Sequence, residues 1–184
     1  MNAVLENPGK VWTYEEYLGL GNDVRFEIIN GKALMSPAPE LSHQRWARRI
    51  FLAIERHVEA NKLGEVFFAP VDVVLDEKNV VQPDLVFVST ANAGLLEPRG
   101  IIGPPDLLVE IISASSLRRD RYDKRELYAR FAVKEYWLAD VANRSLEVLT
   151  LKPAGYQLLS CATNAGRIRS EVLPGFELEL GSLD

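Results

Sequence analysis

The spacing of hydrophobic residues in the N-terminal part predicts a short helix followed by a β-hairpin. Residues 13–16, Thr-Tyr-Glu-Glu, form a capping box at the start of a helix that should end near residues 19–21. Alternation over residues 24–29 predicts a strand. Asn30-Gly31 is a strong hairpin-turn signal, so residues 32–35 should return beside that strand.

Further along, helical and extended patterns alternate. Over residues 40–62 Trp46, Ile50, Ile54 and Val58 recur every three or four positions, which predicts a long amphipathic helix. Apolar runs then predict strands, with one more helix between the last two of them. The predicted strands cover residues 65–75, 80–88, 106–112 and 135–138, and the helix covers residues 117–131. Short strands separated by Gly, Pro and Asn turns follow residue 140.

This order of elements predicts an α/β fold with a mixed central sheet flanked by helices. An N-terminal helix and hairpin precede the sheet, and a β-rich tail follows it. The 184 residues are expected to form one domain, 1–184, and the 47% of hydrophobic residues can fill its core.

Composition narrows the chemistry. Cys161 is the one cysteine and His43 and His57 are the two histidines, so a Cys/His zinc site is excluded and any metal must be held mainly by oxygen. No stretch of about 18 apolar residues occurs, and residues 1–10 lack the pattern of a secretory signal. We therefore expect a cytoplasmic protein that does not associate with membranes.

Charge is distributed unevenly along the chain. The formal net charge is −5, yet residues 43–57 and residues 118–130 each carry a net charge of +3. If both segments lie on one side of the fold, this acidic protein can present a basic surface to a polyanion. The alternative is two ordinary solvated helix faces.

Several acidic residues lie in strongly apolar strands. Glu110 sits within Leu-Leu-Val-Glu-Ile-Ile, Asp84 follows Pro83 at the start of an apolar run, and Glu27 and Asp72 lie within two other runs. An ionised carboxylate at such a position needs a cation or hydrogen-bond donors to offset its burial. For each residue taken alone, an edge position paired with Arg or Lys is the simpler interpretation.

Lys124 is unusual in the complementary way. It shares a helix face with Leu127, Tyr128 and Phe131, the apolar stripe that should contact the sheet. An ion pair with Asp120, or a side chain that reaches water, would also explain it. An inward lysine beside a buried glutamate is nevertheless the arrangement of a phosphodiester-cleaving site, in which carboxylates hold Mg²⁺ and an ammonium stabilises charge on the phosphate.

Four motifs in this order resemble the Uma family, which is classed with the restriction endonucleases of the PD-(D/E)XK nuclease superfamily. The motifs are Gln82-Pro83-Asp84, Val109-Glu110-Ile111-Ile112-Ser113-Ala114-Ser115, Asp120-x-x-x-Lys124-x-x-x-Tyr128 and Val133-Lys134-Glu135-Tyr136-Trp137-Leu138-Ala139-Asp140. The resemblance implies a restriction-endonuclease-like core with Asp84, Glu110, Lys124 and Glu27 as catalytic residues. It also implies Mg²⁺, with Mn²⁺ as a substitute, held at Asp84, Glu110 and Ile111.

The chain departs from the superfamily pattern at the lysine. Ile112 stands where the (D/E)XK lysine should be, and Lys124 on the next helix takes its place. Family members usually have Ser-Pro-Ser where this chain has Ser113-Ala114-Ser115.

The expected function is that of a Mg²⁺-dependent endonuclease acting on DNA. His43, Arg118, Arg119 and Arg121 are expected to contact DNA, although His43 could instead cap a helix and the arginines could simply be solvated. A catalytically inactive relative that binds nucleic acid or protein is the main alternative, and a hydrolase of another phosphoester is a third. By analogy, cutting two strands favours a homodimer.

Overall fold

The computed structural model describes residues 10–21, 25–35 and 37–183. Its helical segments are α1 (Tyr14–Leu18), α2 (Leu41–Asn61), a 3-10 helix (Thr90–Leu95), a π-helix (Arg119–Lys124), α3 (Arg125–Arg130) and a second 3-10 helix (Leu180–Leu183). Its strands are β1 (Glu27–Ile29), β2 (Lys32–Leu34), β3 (Gly64–Phe68), β4 (Val73–Asp76), β5 (Asn79–Val81), β6 (Leu85–Ser89), β7 (Leu96–Glu97), β8 (Gly100–Ile102), β9 (Leu107–Ile112), β10 (Glu135–Asp140), β11 (Ser145–Lys152), β12 (Gly155–Thr163), β13 (Arg167–Arg169) and β14 (Glu177–Glu179).

The strands form a central sheet, a smaller sheet and a two-stranded ribbon. The central sheet has the order β12-β11-β10-β9-β6-β3, and only β9 and β10 run parallel in it. The smaller sheet has the order β2-β1-β5-β4-β8-β7, and the ribbon pairs β13 with β14. β9 and β10 lie in the middle of the central sheet, where every residue of both is buried.

The two faces of the central sheet are covered by different helices because side chains alternate along each strand. Leu107, Val109 and Ile111 of β9 face α2 and the C-terminal segment. Leu108 and Ile112 face α3 and the smaller sheet, and Glu110 shares this alternation. α1 covers the far side of the smaller sheet.

The expected α/β class is confirmed, together with the capping box of α1, the hairpin of β1 and β2, and both longer helices. Residue 24, the predicted start of the first strand, lies outside the described residues. β11 and β12 of the β-rich C-terminal part extend the central sheet. In the described part of the chain no helix has the length and apolar character needed to span a membrane.

Two predicted strands were wrong in their continuity. Residues 65–75 divide into β3 and β4, and residues 80–88 divide into β5 and β6, with the two halves of each run in different sheets. Pro70 and Pro83 stand at the breaks, where a residue without an amide hydrogen cannot continue the ladder. The second break places Asp84 immediately before β6, in the connection between the two sheets.

Candidate active site

A buried lysine bridges two glutamates from different sheets. The Nζ of Lys124 lies 2.7 Å from Glu110 Oε1 on β9 and 2.7 Å from Glu27 Oε1 on β1. The Lys124 side chain is 2% exposed and both glutamate side chains are 6% exposed. The inward direction predicted for Lys124 and the burial predicted for Glu110 are therefore observed.

The helix after β9 orients this ion pair. Leu127 and Tyr128 pack on the sheet one turn after Lys124, which fixes the inner face of the helix. The Tyr128 hydroxyl donates to Glu110 Oε1 at 2.8 Å, so this oxygen accepts bonds from two helix side chains four residues apart. Residues 119–124 form a π-helix rather than the α-helix predicted, and such turns often occur at functional sites.

Glu27 is held from a third direction. The Gln82 main-chain N–H donates to its Oε1 at 2.9 Å, which links the site to the residue before Pro83. Its Oε2 is buried, has no hydrogen-bond partner among the described residues and lies 3.7 Å from Arg119 Nε.

Asp84 and His43 form the more accessible side of the site. The Ile111 N–H donates to Asp84 Oδ2 at 2.7 Å, and His43 Nε2 lies 3.3 Å from the same oxygen. The His43 and Asp84 side chains are 14% and 19% exposed. Burial alone would lower the pKa of His43, but the hydrogen bond and charge of Asp84 raise this pKa above its ordinary value.

Asp120 is a member of the cluster that sequence reasoning assigned only to an intrahelical pair with Lys124. Its Oδ1 lies 4.0 Å from Lys124 Nζ and 3.8 Å from Arg119 Nε, and it is buried without a hydrogen bond from the described residues. Burial raises the pKa of Asp120 although Lys124 opposes the rise. Its position four residues before an inward lysine was the signal that could have placed it here.

The cluster carries excess negative potential. Burial raises the pKa of Glu110 well above its ordinary value; Lys124 opposes the rise, whereas Asp120, Glu27 and Asp84 increase it. Burial opposes the Lys124 ammonium, yet Glu110 and Glu27 outweigh this cost and raise its pKa too. Lys124 therefore stays charged, and several carboxylates share this one ammonium.

Oxygen donors of this kind suit a hard divalent cation such as Mg²⁺, which takes one or two carboxylates and completes its shell with water or phosphate. Within residues 10–21, 25–35 and 37–183 no group of three or more His, Cys, Asp and Glu side chains is placed to hold a metal ion. Asp84 and Glu110 together offer two carboxylates, which is within the number that Mg²⁺ takes from a protein.

Comparison with known proteins places the chain in a family. The sequence profile of the Uma2 family, described as a putative restriction endonuclease, matches residues 13–181. The chain belongs to this family. A crystal structure of a putative nuclease of DUF820 from Anabaena variabilis ATCC 29413 is similar to it, with a TM-score of 0.75 and 17% identity, covering 93% of this chain and 96% of that chain. At this identity the likeness shows the fold, and no curated protein matches the chain.

The Uma2 match confirms the resemblance drawn from the four motifs, and it supports a nuclease. The three arginines predicted to contact DNA lie in different environments in the structure. Arg118 is exposed, whereas Arg119 points towards Glu27 and Asp120. Arg121 binds Glu147 at 2.9 Å and also lies near Asp140.

The two basic segments also separate, because α2 and α3 pack on opposite faces of the central sheet. Both segments reach the candidate site at their starts, where His43 contacts Asp84 and Arg119 approaches Glu27. The single basic surface that the charge pattern suggested is therefore not formed by the two segments as a whole.

Proposed function

We propose that this protein is a Mg²⁺-dependent endonuclease that hydrolyses phosphodiester bonds of DNA. The observation that carries the proposal is the Lys124 ammonium, which lies 2.7 Å from both Glu110 and Glu27. Asp84 adjoins this group because it accepts a hydrogen bond from the main-chain N–H of Ile111, the residue after Glu110. Membership of a family described as restriction endonucleases supports the reaction class.

Asp84, Glu110 and the carbonyl of Ile111 would hold the metal. Bound Mg²⁺ supplies a water of lowered pKa and offsets negative charge on the phosphate. The chain's own residues supply the remaining functions.

Lys124 is placed to orient the attacking water and to stabilise charge that develops on the phosphate. Glu27 and Tyr128 restrict it, the first by direct contact and the second by binding the same oxygen of Glu110. His43 holds Asp84 at the accessible side and can face a phosphate of the bound strand. Arg118 is the exposed arginine best placed to add a contact to the DNA backbone.

Supercoiled plasmid tests the proposal. The full chain should nick or linearise it with Mg²⁺ or Mn²⁺ and should be inactive with EDTA. Asp84→Ala should remove the activity, because it removes a proposed metal ligand.

The matched control is Asp123→Ala, which removes an exposed aspartate of the π-helix segment. It should retain wild-type activity. Cleavage that survives Asp84→Ala, or that is lost equally in Asp123→Ala, would contradict the proposed site.

One observation favours the catalytically inactive relative as a second candidate. Glu110 Oε1 already accepts hydrogen bonds from both Lys124 and Tyr128, so this oxygen is occupied. Such a protein would retain DNA at low salt without turnover, and Lys124→Ala would leave that binding unchanged.

A further inference from the structure

A cleft with polar residues in its lining lies beside the candidate active site. Its volume is about 680 Å³, within the range of small-molecule sites. Tyr17, Asp72 and Gln82 line it, and Gln82 also holds Glu27 through its main-chain N–H. Asp84 follows two residues later, so the cleft adjoins the site through continuous chain.

The hydrogen bonds among these three residues leave two acceptor oxygens unused. Gln82 Nε2 donates to Asp72 Oδ1 at 2.7 Å and to the Tyr17 oxygen at 3.2 Å, and the Tyr17 hydroxyl reaches the same Asp72 oxygen at 3.5 Å. These bonds fix the amide of Gln82, because a carboxylate can only accept. Asp72 Oδ2 and Gln82 Oε1 have no hydrogen-bond partner within the described parts of the chain.

Other residues that line the cleft are apolar or basic. Phe67 and Pro70 provide flat apolar surface on one wall. Arg25 and Arg99 are exposed cations at the rim, and no ion pair joins either to another described residue. The residues that line the cleft thus combine unused acceptor oxygens, apolar surface and positive charge.

We propose that this cleft binds an unpaired guanine nucleotide of the nucleic acid, next to the bond that is cleaved. Among the common bases guanine alone presents two adjacent N–H donors on its pairing edge, the pattern that a carboxylate and an amide oxygen accept. The planar base suits Phe67 and Pro70, and its phosphate suits the arginines. Only the position beside the cut rests on the proposed nuclease function.

Binding of mononucleotides to the full chain in EDTA tests the cleft without any cleavage. GMP should bind at least about tenfold more tightly than AMP, CMP and UMP by calorimetry. Asp72→Asn should weaken GMP binding by about tenfold or more and should favour xanthosine monophosphate. The new amide donates where the carboxylate accepted, and xanthine carries a carbonyl in place of the amino group.

Glu97→Gln is the matched control, since Glu97 is an exposed acid of the same cleft that the argument does not use. It should change GMP affinity by less than about twofold, and circular dichroism should show that both variants are folded. Absence of GMP binding at millimolar concentration, equal binding of all four nucleotides, or unchanged selectivity in Asp72→Asn would overturn the inference. If the protein cleaves plasmid but fails this test, the proposed nuclease function stands and the guanine site is wrong. If it binds GMP selectively but does not cleave plasmid, the guanine site stands and the proposed function is wrong.

Discussion

Two buried glutamates lie on opposite faces of the central sheet, and they are stabilised in different ways. Glu135 accepts bonds from Trp137 Nε1 at 2.7 Å and the Ser170 hydroxyl at 2.6 Å, and its other oxygen accepts from the main-chain N–H groups of Glu171 and Val172. Glu110, on the other face, has the Lys124 ammonium and one hydroxyl, and three more acids surround it.

The two carboxylates differ in the kind of donor that surrounds them. Three of the four neutral donors at Glu135 come from residues 170–172 of the C-terminal segment, so they satisfy the charge and attach that segment to the sheet. At Glu110 a single ammonium serves several acids, and buried oxygens of Glu27 and Asp120 have no hydrogen bond from the described residues. Such a site gains from a further cation, whereas the environment of Glu135 is complete.

Exchanging the two glutamates for glutamine should produce the largest contrast. Glu110→Gln should lower nuclease activity at least about a hundredfold, because it weakens a proposed metal ligand. Glu135→Gln should keep the activity per folded molecule within about twofold and lower the free energy of unfolding by about 1–3 kcal/mol. Plasmid nicking and urea unfolding measure the two effects. Equal losses of activity would end the distinction between the two faces.

Removing the Lys124 ammonium tests whether the acids around Glu110 gain from a further cation. Lys124→Met should destabilise the metal-free protein by about 3–5 kcal/mol, because Glu27 and Glu110 lose their shared partner. Mn²⁺ should then raise the melting temperature more than it does in the wild type, since the ammonium no longer occupies Glu110. Lys134→Met is the control: Lys134 binds Asp106 at 2.6 Å but is 63% exposed, and its loss should leave the response to Mn²⁺ unchanged. A wild-type response in Lys124→Met would contradict this competition.

Asp120→Asn should stabilise the metal-free protein at pH 7 by about 0.5–2 kcal/mol. Burial raises the pKa of Asp120 in the folded state, so its contribution to stability is full below the unfolded pKa of about 3.9 and is lost as pH rises through the folded pKa. The asparagine has no charge to bury, and the difference from wild type should therefore vanish near pH 3. Urea unfolding across this pH range measures it, and a variant less stable at pH 7 would show that the carboxylate is satisfied.

The smallest effects are expected at the arginines. Arg118→Ala should weaken DNA binding and reduce the salt slope by about 1, whereas Arg121→Ala should leave that slope unchanged because Arg121 is engaged by Glu147. Fluorescence anisotropy over a salt series compares them. A smaller slope in Arg121→Ala than in Arg118→Ala would place the DNA on the other side of the helix.

Local patterns were sufficient to predict most elements and the inner direction of Lys124. The capping box of α1, the Asn30-Gly31 turn and the period of α2 each depend on residues close in sequence. The division of residues 65–75 between two sheets depends on pairing with distant strands, which apolar character alone does not specify.

Most acidic residues of the candidate site could be predicted from the sequence, but several of the contacts that join them could not. Glu110 and Glu27 stood out because charge is rare in apolar strands. The contact of His43 with Asp84 joins residues 41 positions apart on different elements, and no local spacing encodes it. Asp120 was misjudged because an i,i+4 pair on a helix is commonplace at a surface, and only the tertiary structure places this pair in the interior.

The origin of the lysine in a helix has a consequence for how the site can vary. Ile112 is apolar and buried, so Glu110 is the one charged residue of β9. A sliding or rotation of the helical segment would carry Lys124 and Asp120 away from Glu27 and Glu110, which lie in the two sheets. The ammonium and the two glutamates thus belong to different secondary-structure elements, so substitutions in the helical segment can change the charge balance of the cluster without rebuilding the strands.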